Sequence, residues 1–115
     1  MVNEHIVRMA RDLRRMSVTH KAPIWKRVSE FALKTAISKR VINVNGIEKL
    51  TKDGDVVIFP GKVLGTGDIT HNISLFCFDI SKTAVSKVTN AGGRILDYKT
   101  LTNERPTGTG VILLG

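Results

Sequence analysis

Positive charge in this chain is concentrated in its first third, whereas the remainder is almost neutral. Residues 1–40 carry ten lysines and arginines against three acidic residues, and residues 41–115 carry eight against seven. The neutral part is rich in glycine and β-branched residues, a composition typical of short strands joined by tight turns. A basic segment joined to a neutral folded part is the electrostatic pattern of a protein that binds a polyanion, most often a nucleic acid.

The length of 115 residues corresponds to about one structural domain. Within that domain we predict a basic helical arm over residues 1–40 and a compact body over residues 41–115. The expected fold class is α+β (mixed α/β), with N-terminal helices followed by short strands and one main helix.

The first predicted helix covers residues 3–16, where apolar residues repeat at helical spacing: Ile6, Met9, Leu13 and Met16. A second helix begins at Pro23, a residue favoured in the first turn, and reaches about residue 38. Trp25 is expected to anchor this second helix to the core. Residues 17–22 are interpreted as a polar connector. Because a helix of about fourteen residues is marginal in isolation, we expect the first one to be weakly held without its partner.

Basic side chains occupy the remaining faces of these helices, and few acidic residues are near enough to pair with them. Unpaired charge of one sign favours contact with phosphates, although a solvated helix face is the alternative. The candidate nucleic-acid-binding residues of the arm are Arg8, Arg11, Arg14, Arg15, Lys21, Lys26, Arg27, Lys39 and Arg40.

Short strands alternate with turns in the predicted body. The expected strands are residues 41–44, 56–59, 73–80, 95–96 and 111–114, and Asn45-Gly46 is expected to break the first of them. Ser81 is predicted to cap a helix that ends near residue 90 at Gly92 or Gly93. Single helical turns are predicted at residues 47–50 and 100–104.

Residues 60–68 are predicted to form a glycine-rich loop. Glycine lets a backbone approach a ligand closely, and free amide groups can then meet phosphate oxygens. Gly61, Lys62 and Gly65 are therefore further candidate contacts to phosphates of a nucleic acid. The alternative is that short strands simply require tight turns here.

Sequence patterns for catalysis are missing. Val56 and Val63 occupy positions where a phosphate-binding loop of the Walker type needs glycine and Ser/Thr, and Thr70 replaces the third glycine of a dinucleotide fingerprint. The three histidines lack metal-ligand spacing, and Cys77 lies in an apolar run. We therefore expect no enzyme activity, no catalytic residue, no cofactor, no metal and no small-molecule substrate.

The single cysteine and the charged N-terminus favour a soluble, unexported protein of the cytoplasm that makes no use of a membrane. A basic amphipathic segment lying on an anionic membrane is a minor alternative.

Four motifs, in order along the chain, resemble those of one family. They are Ala22-Pro23-Ile24-Trp25 at a helix start, the segment 60–65 (PGKVLG), Ala91-Gly92-Gly93, and the segment 106–111 (PTGTGV). The chain resembles, from about residue 3 to its last residue, the large-subunit ribosomal protein called L-eighteen-e in archaea and L-eighteen in eukaryotes, related to bacterial L-fifteen. In its short length the chain resembles the archaeal members of this family.

The resemblance implies a non-enzymatic constituent of the large ribosomal subunit, acting in translation. Its implied partners are large-subunit ribosomal RNA and neighbouring ribosomal proteins, and its implied location is the cytoplasmic ribosome. The implied fold is an irregular β-β-α superhelix. A free-standing basic nucleic-acid-binding protein is the alternative function.

Overall fold

The structure, a computed structural model, describes residues 4–34 and 40–114. Within these ranges, five helices and five strands follow one another, which confirms the expected mixed fold class. The helices are α1 Glu4–His20, α2 Pro23–Lys34, α3 Val44–Leu50, α4 Lys82–Asn90 and α5 Tyr98–Glu104. The strands are β1 Val41–Asn43, β2 Asp55–Leu64, β3 Ile73–Ile80, β4 Arg94–Ile95 and β5 Val111–Leu113.

Strand β2 is the centre of a parallel sheet. One of its edges pairs with β3, which in turn pairs with β4. The other edge pairs with two short strands, because β5 lies beside Val56–Ile58 and β1 lies beside Lys62–Leu64. The first and last strands of the chain thus share one edge of β2.

Helices cover both faces of this sheet, so its alternating side chains enter two separate cores. Val56 and Ile58 of β2 belong to the first core, with residues of α1, α2 and α5. Val57 and Phe59 belong to the second core, with residues of α3 and α4. The strand predicted at residues 73–80 is confirmed, and the side chains of residues 75–78 alternate between the two cores.

Helix α1 is longer than predicted and continues to His20, through most of the expected connector. It ends where Lys21 adopts the left-handed conformation (φ 50°), and two hydrogen bonds close the turn. The Ala22 amide donates to the Ser17 carbonyl at 3.0 Å, and the Lys21 amide donates to the Val18 carbonyl at 3.4 Å. This is a Schellman motif with lysine at the position that usually holds glycine.

Helix α3 also begins earlier than predicted, because Asn45-Gly46 lies inside it and does not form a turn. Asn43 precedes the helix in an extended conformation, so strand β1 passes directly into α3. A Cβ atom on Gly46 would lie 3.0 Å from Cγ1 of Ile42. Glycine is present here to permit close packing of the helix on the preceding strand.

The prediction of a glycine-rich loop at residues 60–68 is wrong for the first half of that segment. Strand β2 runs through Leu64, with a register shift between Phe59 and Lys62. Pro60 and Gly61 lie in this irregularity, where a missing amide donor and a missing side chain are tolerated. A Cβ atom on Gly61 would come within 2.5 Å of the Arg40 carbonyl oxygen, so the strand needs glycine there.

Local capping explains where α4 and α5 begin and end. The Ser81 hydroxyl accepts a hydrogen bond from the Ala84 amide at 3.2 Å, which confirms its predicted role. Gly92 has a φ of 86°, and the predicted left-handed end of α4 is confirmed. The Asp97 carboxylate accepts from the Thr100 amide at 2.7 Å, and this cap starts α5 two residues before the predicted turn.

The basic segment contributes to the same core as the sheet. Pro23 begins α2 as predicted, while the predicted end of that helix near residue 38 lies outside the described residues. Leu13 and Trp25 are fully buried in the first core beside Ile58. The division into an arm and a body at residue 40 remains a prediction. In the ranges that the structure covers, no helix is long and apolar enough to cross a membrane.

Candidate nucleic-acid interface

Helix α1 turns one side into the core and presents arginines on the other. Met9 and Leu13 are buried against α2 and the sheet. Arg8, Arg11 and Arg15 are exposed and follow one another at intervals of three and four residues, which places them on one ridge of the helix. The amphipathic pattern predicted for this helix is confirmed, and the ridge faces solvent.

Arg15 has an intramolecular partner, contrary to the expectation that these arginines lack one. Its guanidinium lies 3.0 Å from the Asp12 carboxylate, which also accepts a hydrogen bond from the Tyr98 hydroxyl at 2.7 Å. Burial of the ring, together with this bond to Asp12, raises the pKa of Tyr98. Asp12 therefore connects α1 to α5 and partly neutralises Arg15.

The other three arginines of α1, Arg8, Arg11 and Arg14, differ from Arg15 in having no carboxylate partner among the described residues. Arg11 and Arg14 also line a groove of about 190 Å³ between α1 and α2, whose walls include the exposed side chains of Val7 and Leu33. We call Arg8, Arg11, Arg14 and Arg15 the helix surface.

Lysines extend the positive charge around the first two helices. Lys21 is exposed in the turn between α1 and α2, and Lys26 is exposed on α2. Lys39 lies outside the described residues.

A second group of basic side chains surrounds the ring of Phe31 on α2. The guanidinium carbon of Arg40 lies 4.6 Å from the ring centroid, and that of Arg27 lies 6.0 Å away. Both distances are typical of cation–π contact. We call Arg27, Phe31 and Arg40 the Phe31 cluster. Phe31 is not among the contacts predicted from the sequence, although its spacing of four residues from Arg27 is a signal that the sequence contains.

The backbone of Lys62 is hydrogen-bonded to Arg40, a member of the Phe31 cluster. Its amide donates to the Arg40 carbonyl oxygen at 2.9 Å. Its ammonium group lies 3.7 Å from the Asp79 carboxylate of the neighbouring strand, and both side chains are about half exposed or more. An exposed ion pair of this kind holds its partners weakly, so Lys62 can exchange Asp79 for another anion.

Two glycines of the expected RNA-binding segment face their own chain. Gly61 is buried against the Arg40 carbonyl, and a Cβ atom on Gly65 would lie 2.7 Å from Cβ of Thr83 in α4. Close packing therefore explains why each of these two positions holds glycine. Their contact with RNA remains a prediction.

The loop that follows β2 is fixed by internal hydrogen bonds. The Lys87 ammonium donates to the Gly67 carbonyl, and the Glu48 carboxylate accepts from both the amide and the hydroxyl of Thr70. These bonds hold the pKa of Glu48 below its usual range. Nε2 of His71 lies 2.8 Å from the Thr51 hydroxyl oxygen. This loop is thus built into the second core, on the sheet face opposite α1 and α2.

Other chemistry is absent from the part of the chain that the structure describes. In residues 4–34 and 40–114, no three His, Cys, Asp or Glu side chains are grouped as metal ligands would be. Burial raises the pKa of Cys77 to about 12, which keeps it as a neutral thiol. The expected absence of catalytic, metal and cofactor sites remains a prediction.

Comparison with known proteins gives a consistent set of relatives. Residues 24–96 match the family described as ribosomal proteins 50S-L15, 50S-L18e and 60S-L27a. The large ribosomal subunit protein eL18 of Archaeoglobus fulgidus is 37% identical over 112 residues, covering 97% of this chain and 96% of that protein. The eL18 proteins of Methanococcus maripaludis and Pyrobaculum aerophilum are 37% and 36% identical, covering 89% and 95% of this chain and 85% and 89% of their own lengths.

Proposed function

Because this chain belongs to the family of ribosomal proteins that comprises 50S-L15, 50S-L18e and 60S-L27a, we propose that it binds large-subunit ribosomal RNA through the helix surface and the Phe31 cluster. The resemblance stated from the sequence motifs is confirmed. A role as a constituent of the ribosome, located in the cytoplasm, follows from family membership.

One observation carries the proposal of RNA binding. Arg8, Arg11 and Arg14 are exposed on α1 and have no ion-pair partner among the described residues. Net charge that a protein leaves unneutralised on one face attracts a polyanion. Lys21, Lys26 and Lys62 extend this contact, and neighbouring ribosomal proteins complete the surroundings of the protein in the subunit.

The experiment compares two triple variants of equal charge. The first neutralises Arg8, Arg11 and Arg14 as glutamine. The matched control neutralises Lys49, Lys52 and Lys82, which are exposed on the side of the sheet that carries α3 and α4. Affinity for fragments of large-subunit ribosomal RNA is measured at several salt concentrations.

The first variant should lose affinity, and its salt dependence should fall, because fewer counterions are released when fewer phosphates are neutralised. The control should change both quantities much less. Equal effects of the two variants would mean that binding follows net charge alone and would contradict the assignment to α1.

A free-standing nucleic-acid-binding protein is the second candidate, favoured by the same surplus of positive charge. The two functions differ in their behaviour on ribosomes. A constituent of the large subunit should stay with that subunit through a high-salt wash, whereas a free factor should dissociate.

A further inference from the structure

A hollow of about 370 Å³ lies between α1, β3 and the start of α5. Its apolar lining includes Met9 of α1, Leu96, and Phe76 and Phe78 of β3. The two phenylalanine rings meet edge to face, with their centroids 6.0 Å apart and their planes at 71°. Phe76 is buried and Phe78 is partly exposed, so the aromatic lining is accessible from solvent. The volume and the apolar lining are typical of a site that takes one small organic group.

The sheet has an open edge beside this hollow. Strand β4 pairs with Ser74 and Leu75 of β3, and no strand within the described ranges pairs with that edge beyond Leu75. Across this edge the Leu75 carbonyl accepts from the Leu96 amide at 2.7 Å. Backbone groups of alternate residues point to the same edge of a strand, so the amide and carbonyl of Cys77 continue the row. Because Cys77 also lines the hollow, one backbone donor and one backbone acceptor lie in its wall.

The charged part of the lining is mainly positive. Arg8 of α1 and Lys99 of α5 are exposed where they line the hollow, and neither forms an ion pair with a residue that the structure describes. The lining also contains Asp97, whose carboxylate accepts from the Thr100 amide at 2.7 Å and caps α5. Two cations against one carboxylate give the hollow a rim that attracts an anion.

This combination fits one unpaired nucleotide better than a peptide. Proteins that read single-stranded RNA place a base against an aromatic side chain and hydrogen-bond to its edge, while cations meet the backbone phosphates. An extended peptide can also add to an open sheet edge, but that mode relies on main-chain pairing and gives Arg8 and Lys99 no role.

We propose that the hollow takes one unpaired base of the bound RNA. The base lies against Phe78 and hydrogen-bonds to the backbone of Cys77, and Arg8 and Lys99 each contact a phosphate of the adjoining backbone. The proposal rests on the proposed function and adds a base contact to it. Arg8 makes the hollow continuous with the helix surface.

The first test compares two phenylalanine variants of full-length protein by their affinity for ribosomal RNA fragments at several salt concentrations. Phe78→Leu should lower affinity by about tenfold, the loss typical of one base–aromatic stack. Its salt slope should stay unchanged, because the ring carries no charge. The matched control is Phe59→Leu, since Phe59 is buried in the second core, and it should leave affinity unchanged. Equal affinity of Phe78→Leu and wild type, at a temperature where both are folded, would overturn the proposal.

The second test concerns the charge of the rim and leaves the apolar lining intact. Lys99→Gln should lower affinity and reduce the salt slope by about 1, as expected for the loss of one phosphate contact. The control is Lys82→Gln, because Lys82 is exposed on the side of the sheet that carries α4. Equal effects of the two variants would contradict a phosphate contact at Lys99. This test decides the question if Phe78→Leu does not fold.

The third test identifies the base. Ultraviolet irradiation of the complex should join an RNA base to a peptide that contains Phe78, and cross-links confined to α1 and α2 would overturn the proposal. Removing the base from that nucleotide should cost wild-type protein as much affinity as Phe78→Leu does. The two changes together should cost no more than either alone, because both remove the same contact. Additive losses would show that this base does not lie against Phe78.

Failure of this proposal is distinguishable from failure of the proposed function. If neutralising Arg11 and Arg14 lowers RNA affinity, but Phe78→Leu and Lys99→Gln do not, only the base site is wrong, and the open edge of β3 is left for a peptide strand. If wild-type protein shows no salt-dependent affinity for the RNA, the proposed function itself is wrong.

Discussion

The indole nitrogen of Trp25 donates a hydrogen bond to the carbonyl oxygen of Pro106 at 2.7 Å, across 81 residues of chain. Trp25 is fully buried, so its expected role as an anchor of α2 is confirmed. Nearby, a Cβ atom on Gly108 would lie 2.5 Å from Cγ2 of Ile24. Two motifs that carry the family resemblance, one near each end of the chain, are thus packed against each other.

Trp25→Phe should lower the free energy of unfolding by about 1–3 kcal/mol, because the Pro106 carbonyl then lacks its donor. Phenylalanine keeps most of the apolar contact, so the change mainly reports the hydrogen bond. Urea unfolding measures this difference. Val18→Ala is the matched control, since Val18 is 76% exposed and its truncation should change stability by less than about 0.5 kcal/mol. Equal effects would contradict an anchoring role for the indole.

Lys21→Gly should raise stability by about 0.5–1 kcal/mol. Lys21 has a φ of 50°, a conformation that is costly for a residue with a side chain and free of that cost for glycine. Lys26→Gly is the control, because it removes the same charge from the interior of α2, where glycine costs about 1 kcal/mol. Thermal unfolding of the two variants should therefore shift in opposite directions, and a shift in the same direction would contradict this account.

Gly61→Ala and Lys62→Ala separate structure from binding at adjacent positions of β2. A Cβ atom on Gly61 would lie 2.5 Å from a backbone oxygen, which cannot move as a flexible side chain can. The alanine variant should lose about 1–3 kcal/mol of stability through overpacking. Lys62 is exposed and paired only with exposed Asp79, so Lys62→Ala should weaken RNA binding with little change in melting temperature. A destabilised Lys62→Ala protein with intact binding would show that this position is structural.

Periodicity and capping residues predicted much of the fold. Ser81 and Pro23 marked helix starts correctly, and the apolar run at residues 73–80 matched β3 in full. These signals are local, because a cap or an alternating strand is recognisable from a few consecutive residues.

The features that local pattern did not predict depend on contacts distant in sequence. Gly61 and Gly46 read as turn residues, yet they serve close packing inside a strand and a helix. Lys21 ends α1 in the left-handed conformation, which sequence-based reasoning expects only where glycine is present. For the interface, the exposed arginines of α1 were predictable, whereas the meeting of Arg40 with Phe31 requires the tertiary structure.

Stability should fall in acid partly through Asp97. Its hydrogen bonds to Thr100 hold the pKa of the carboxyl below its usual range, so the ionised form stabilises the folded state. That contribution is present above the pKa of the unfolded chain, near pH 4, and is lost as pH falls through the lower folded value. Asp97→Asn keeps a cap without a charge and should lose less stability between pH 7 and pH 3 than wild type does. An identical acid dependence in urea unfolding would contradict this assignment.

Helix α1 should open more readily than the sheet when RNA is absent. It packs through one side onto α2 and α5, while its opposite side carries arginines that repel one another. Native-state hydrogen exchange should therefore show weaker protection for amides of residues 6–16 than for those of β2 and β3, because local opening of an outer helix leaves the second core intact. Bound RNA should raise protection in α1 by neutralising these charges. Equal protection of α1 and β3 in free protein would show that the basic segment unfolds only with the whole domain, and that residue 40 marks no boundary between an arm and a body.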